Sequence, residues 1–81
     1  MSARPTALRG ARRIRTVEAL TSALDRGRLV RGDTCLYRQH LTYPRHVYAE
    51  RDGHQWVTSR DFALADMARA LAEGMAVYSL P

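Results

Sequence analysis

The chain contains no lysine, and all 13 of its basic residues are arginine. It has one cysteine, Cys35, which excludes an intramolecular disulfide and a cysteine-rich metal site. Beside Leu36 and Tyr37, this cysteine reads as a small buried hydrophobe. No apolar run approaches the length of a transmembrane helix. The early arginines are not followed by the apolar stretch of a secretory signal. The five glycines are isolated, so no glycine-rich phosphate loop is present. None of Ser22, Ser59 and Ser79 sits in a G-x-S-x-G elbow. The histidines, His40, His46 and His54, follow no H-E-x-x-H pattern or other metal-ligand spacing and read as surface or rim residues. These absences predict a soluble, cytoplasmic protein without a catalytic residue, metal or cofactor.

What remains is small and unevenly charged. The chain has 81 residues and is 46% hydrophobic, enough for one domain with a modest core. A homodimer or a firm partner would add stability to so short a chain. The all-arginine, alanine-rich composition is what a GC-rich coding sequence produces, so a bacterial or phage source is expected. Residues 1–15 carry Arg4, Arg9, Arg12, Arg13 and Arg15 and no acid, whereas the remainder is balanced, so the net charge of +5 lies wholly in this segment. It is expected to be a basic, partly disordered N-terminal arm on a domain spanning 16–81.

Within that domain, Thr16 is a suitable N-cap, and Val17, Leu20 and Leu24 fall on one helical face. Glu18 and Arg26 suit the helix dipole, and Gly27 a left-handed C-terminal cap, so the spacing predicts a helix over Val17–Arg26. Arg28–Asp33 reads as a connection with a Gly32-Asp33 turn; its Arg31-Gly32-Asp33 tripeptide is read as chance. Thr34–Leu41 reads as a strand. Arg45–Arg51 and His54–Thr58 flank Asp52-Gly53, the signature of a type I′ hairpin. That turn pairs Arg51 with His54, Ala49 with Trp56 and Val47 with Thr58, and on the other side Glu50 with Gln55 and Tyr48 with Val57. Neither side is cleanly polar, so both are expected to be covered, one by helices and the other by a second copy or another protein.

Ser59 or Asp61 caps a second helix whose apolar stripe is Leu64, Met67, Ala68, Leu71 and Met75, with Phe62 anchoring its start. Gly74 ends it, and Met75–Leu80 alternates as a last strand. Ala11–Arg15 could add an edge strand with Ile14 inward. The expected class is α+β: a small antiparallel sheet of three to four strands with two helices on one face, in the order (β)-α-β-β-β-α-β. A ferredoxin-like arrangement and a double-stranded-RNA-binding-like order both fit.

Two functions follow. A protein or nucleoprotein partner would be met by Tyr37, Arg38, His40, Tyr43, Arg45 and His46, because tyrosine and arginine are enriched at interface hot spots. DNA or RNA would be met by residues 4–15, chiefly Arg9, Arg12, Arg13 and Arg15, with Tyr37, Tyr43, Tyr48 and Trp56 available to stack bases. No membrane contact is expected. In size, composition and hairpin–helix–strand order over Val47–Leu80, the chain resembles small phage-encoded inhibitors of host defence, the anti-CRISPR proteins. The resemblance rests on no motif. It implies a stoichiometric inhibitor that blocks a host nucleoprotein complex, its arginines seeking acidic protein surface or guide RNA.

Overall fold

The computed structural model describes residues 10–81. It contains β1 (Arg12–Ile14), α1 (Val17–Arg26), β2 (Arg28–Arg31), β3 (Leu36–Gln39), β4 (His46–Arg51), β5 (His54–Ser59), α2 (Arg60–Ala72) and β6 (Val77–Leu80). The class is α+β, with six strands in one sheet in the order β1-β6-β2-β3-β4-β5. All neighbouring strands are antiparallel. Because β1 and β2 both run antiparallel to β6, they are parallel to each other, and α1 links them as a split β-α-β unit. The ferredoxin-like expectation survives only in that unit; β2 to β5 form a simple meander. No helix among the described residues is long and apolar enough to cross a membrane.

One face of this sheet is covered. Side chains directly opposite each other share a face, so the registers place Ile14, Val77, Leu29, Tyr37, Val47 and Ala49 together. These residues pack with Leu20, Ala23 and Leu24 of α1 and Ala63, Met67 and Ala70 of α2 in one core cluster. Leu20, Leu24, Leu29 and Met67 are fully buried; each contributes about 1.5–3 kcal/mol by burial. The alanines at 23, 63 and 70 let both helices approach the sheet closely.

The hairpin has the expected register at every pair. Its turn is left-handed at Asp52 (φ 54°) and Gly53 (φ 80°), as a type I′ turn requires. Ser59 caps α2 by accepting from the Phe62 amide at 3.0 Å. Several expectations need correction. Arg28–Arg31 is a strand, not a connection: Leu29 enters the core and pairs with Tyr37 on one side and Ser79 on the other. With β1 formed as well, the sheet has six strands rather than three to four. Phe62 does not anchor α2, being 60% exposed. Position 66 turns inward to an ion pair, so the buried stripe of α2 is Ala63, Met67 and Ala70, with Leu64, Ala68, Leu71 and Met75 at its margins. His40 is buried rather than on the surface or rim.

Gly27 is a helix terminus for a different reason from the one expected. Its φ of −173° is extended, and its N–H reaches the Ala23 carbonyl. What it needs is space, since a Cβ there would lie 2.1 Å from the carbonyl oxygen of Leu80 in β6. Gly27→Ala is therefore expected to destabilise the fold by about 1–3 kcal/mol through forced separation of α1 from β6. Urea denaturation checks this, and an unchanged midpoint would mean that the two elements separate freely.

Candidate binding face

The two faces of the sheet differ in how several of their arginines are held. On the helix side, Arg31 is held by two carboxylates. Its Nη1 is 2.7 Å from Asp66 Oδ1, and its Nε and Nη2 donate to Asp33 at 2.9 and 2.5 Å. Tyr37 donates its hydroxyl to Asp66 at 2.9 Å, and Arg51 pairs with Asp33 at 3.0 Å. Arg60 pairs with Asp25 at 2.6 Å and donates to Gln39. This network ties α2 to β2 and β3 and the turn between those strands. The Arg31 guanidinium holds the Asp33 carboxyl below its ordinary range, and Asp33 in turn raises Arg31. Burial, with the hydrogen bond to Asp66, keeps the Tyr37 phenol protonated far above its usual range.

The opposite face carries no helix or strand among the described residues. The registers place Arg13 and Tyr78, Val30, Arg28 and Leu36, Arg38 and Tyr48, and Val57 on it. No ion pair among the described residues engages Arg13, Arg28 or Arg38. Two of these arginines lie over tyrosine rings instead: Arg38 at 4.7 Å from the Tyr48 centroid and Arg13 at 5.9 Å from that of Tyr78. His40 stacks on Tyr48 with centroids 4.4 Å apart and planes 19° from parallel. Its Nδ1 accepts from the Thr42 and Tyr43 amides, both at 3.1 Å, which sets the β3–β4 connection. Tyr43 leans on His40 at 4.9 Å and meets His46 edge-on at 6.2 Å. A groove of about 620 Å³ opens on this face toward the β2–β3 and β4–β5 turns, floored by Val30 and Leu36 and bordered by Arg28, Tyr78, Glu50 and Asp52. Glu50 is the one acid that the strand registers place on this face, and it accepts from Gln55 at 3.1 Å.

The residues singled out in the sequence are thus partly brought together. Arg13, Arg38, His40 and His46 lie on the open face, with Tyr43 at its end. Tyr37 does not join them; it is 2% exposed and points to the helices. Arg12 pairs with Ser79 and so lies on the helix side, while Arg15 follows β1 and is exposed. Arg45 is exposed just before β4, its carbonyl accepting from the Arg60 amide. Trp56 stands on the helix side at the margin. β1 ties the end of the basic segment into the sheet, so the folded domain begins before Thr16. Arg4 and Arg9 lie outside the described residues.

Arg28 and Val30 were missed because β2 was read as a connection, and Leu36 and Tyr78, on strands that were expected, because alternation alone does not say which face stays open. The available signal was a four-residue stretch with Leu29 and Val30 at its centre, bounded by Gly27 and Gly32. Cys35 is buried, and no group of three or more His, Cys, Asp or Glu among the described residues could hold a metal ion. No protein-family model matches the chain, and no curated protein or solved structure matches it either.

The lowered Asp33 group makes a pH-dependent contribution. A carboxyl held below its unfolded value stabilises the fold fully above that value, about 3.9, and loses the contribution as pH falls through the folded value. Asp33→Asn is therefore expected to be less stable than the parent at neutral pH, with the gap closing below about pH 4. Thermal melts across pH 2.5–7 check this, and a gap independent of pH would mean that the carboxylate charge contributes nothing.

Proposed function

We propose that this chain is a non-catalytic nucleic-acid-binding module that takes a single strand across the open face of its sheet. One observation carries the reading. Arg31, Arg51 and Arg60 on the helix side pair with carboxylates, whereas among the described residues no ion pair engages Arg13, Arg28 or Arg38 on the open face, and two of these overlie tyrosine rings. Unpaired guanidinium groups suit phosphates, and arginine–tyrosine stacks offer flat cationic surfaces to bases. The stacks at β6 and β4 are three strand spacings apart, about 14 Å, with Val30 and Leu36 on the strands between them. A splayed single strand can follow such a path. A duplex, whose bases are stacked inside, cannot use the rings. Arg13 belongs to the basic segment 4–15, whose remaining arginines would add phosphate contacts.

The test is fluorescence anisotropy with a labelled single-stranded oligonucleotide over a range of salt. Arg28→Gln and Arg38→Gln are each expected to reduce the slope of log affinity against log salt by about 0.7. Tyr48→Ala is expected to weaken binding by about 1–3 kcal/mol with the slope unchanged. Absence of binding, or equal loss for single-stranded and duplex probes, would overturn the reading.

One observation favours a second reading, in which the chain is a small phage or mobile-element inhibitor that occupies the surface of a host nucleoprotein complex. Leu41 and Tyr43 project from the β3–β4 connection, 91% and 60% exposed, as an apolar tip without an acid. Leu41→Asp separates the two readings: it leaves oligonucleotide affinity unchanged under the first and releases the protein partner under the second.

A further inference from the structure

The two margins of the sheet differ. β1 is three residues long and carries Arg12 and Arg13, features that discourage another strand from adding to it. β5 is six residues long, His54-Gln55-Trp56-Val57-Thr58-Ser59, with no acid, arginine, proline or glycine. It has no bulge, since it pairs residue for residue with β4 along its length, and no strand among the described residues pairs with its other side. Trp56 and Val57 at its centre are 40% and 49% exposed, on opposite faces. Protection of edge strands usually involves charge, proline, bulges or shortness, and β5 has none of these.

We infer that β5 is a homodimer edge, pairing antiparallel with β5 of a second copy about a two-fold axis through Val57. The hydrogen-bonding parity fixes this register. In a two-residue hairpin the residues flanking the turn, Arg51 and His54, exchange hydrogen bonds, so Trp56 and Thr58 also direct their backbone groups to β4. Gln55, Val57 and Ser59 therefore direct theirs outward. A two-fold at Val57 pairs Val57 with its copy and Gln55 with Ser59 of the copy, satisfying every outward group between them. It also sets Trp56 beside Thr58 of the copy on the helix side.

The occupant is a second copy because the edge is self-complementary and uncharged. Each chain carries a net +5, so two copies repel at most surfaces, and this strand lets them meet without opposing like charges. An acidic partner would be drawn instead to the arginine-bearing margin and open face. Because the axis stands perpendicular to the sheet, the open faces of both copies lie on the same side and form one surface of doubled width.

Sedimentation equilibrium of the full chain over a roughly hundredfold range of concentration tests the inference, since an interface of one strand pair with few flanking side chains dissociates on dilution. The expected result is a monomer–dimer equilibrium. Val57→Pro removes an outward N–H that β4 does not use and is expected to leave a folded monomer. Val57→Lys places two like charges at the axis and is expected to do the same without touching the backbone. The inference is overturned by a parent chain that is monomeric throughout, or by a dimer that persists in both folded variants.

Discussion

Two helices of 10 and 13 residues must cover a six-stranded sheet, and they can cover only one side of it. Side by side, they span about 20 Å, against about 24 Å for five strand spacings. The core therefore forms between the helices and β1, β6, β2, β3 and β4, and β5 extends beyond it with Trp56 partly exposed. The other face receives no helix among the described residues. This shortage of covering elements, more than any single residue, determines where a ligand or a second chain can approach.

The charge pattern follows from the same constraint. Asp66, carried inward by α2, meets Arg31 and Tyr37 from the sheet, and Asp33 clasps Arg31 and Arg51 at the end of β2. A partly buried arginine beneath a helix must be paired, because desolvation without a counter-charge is costly. Acids are accordingly drawn to the helix side. Arginines on the open face keep their long stems over apolar and aromatic surface with the guanidinium in water, and no packing forces an acid to join them. Segregated charge is thus a consequence of one-sided coverage.

The features legible in the sequence were those set by local geometry. Asp52-Gly53 fixed the hairpin turn and, through its two-residue length, the register of all six pairs between β4 and β5. The period of Val17, Leu20 and Leu24 located α1, and Ser59 located the start of α2. What escaped depended on non-local pairing. Arg28-Leu29-Val30-Arg31 is too short to show a period, and it is a strand because β6, nearly 50 residues later, lies alongside it. Tyr37 and Tyr48 are similar in composition and context, yet opposite pleats send one to Asp66 under the helices and the other to Arg38 on the open face. A strand read with blunt ends does not settle which parity points inward. The site was therefore legible as a group of residue types, but not as a surface.

The hairpin joins these threads. Its turn gives β5 a register with no slack, so the outward backbone groups of Gln55, Val57 and Ser59 are as firmly placed as those bonded to β4. Val57 lies on the open face two strands from Arg38 and next to Tyr48, its partner across the β4–β5 ladder. Whatever pairs with β5 therefore extends the same plane that carries the arginine–tyrosine stacks. A small chain that leaves one face and one edge unfilled gains both area and cations when a second copy fills the edge, because the face is then lengthened rather than covered. Coverage of the open face by the same partner would instead bury Arg13, Arg28 and Arg38 without counter-charges, which the desolvation cost of guanidinium groups opposes. Edge and face are thus suited to different kinds of occupant: an uncharged, hydrogen-bonding strand for the first and a polyanion for the second.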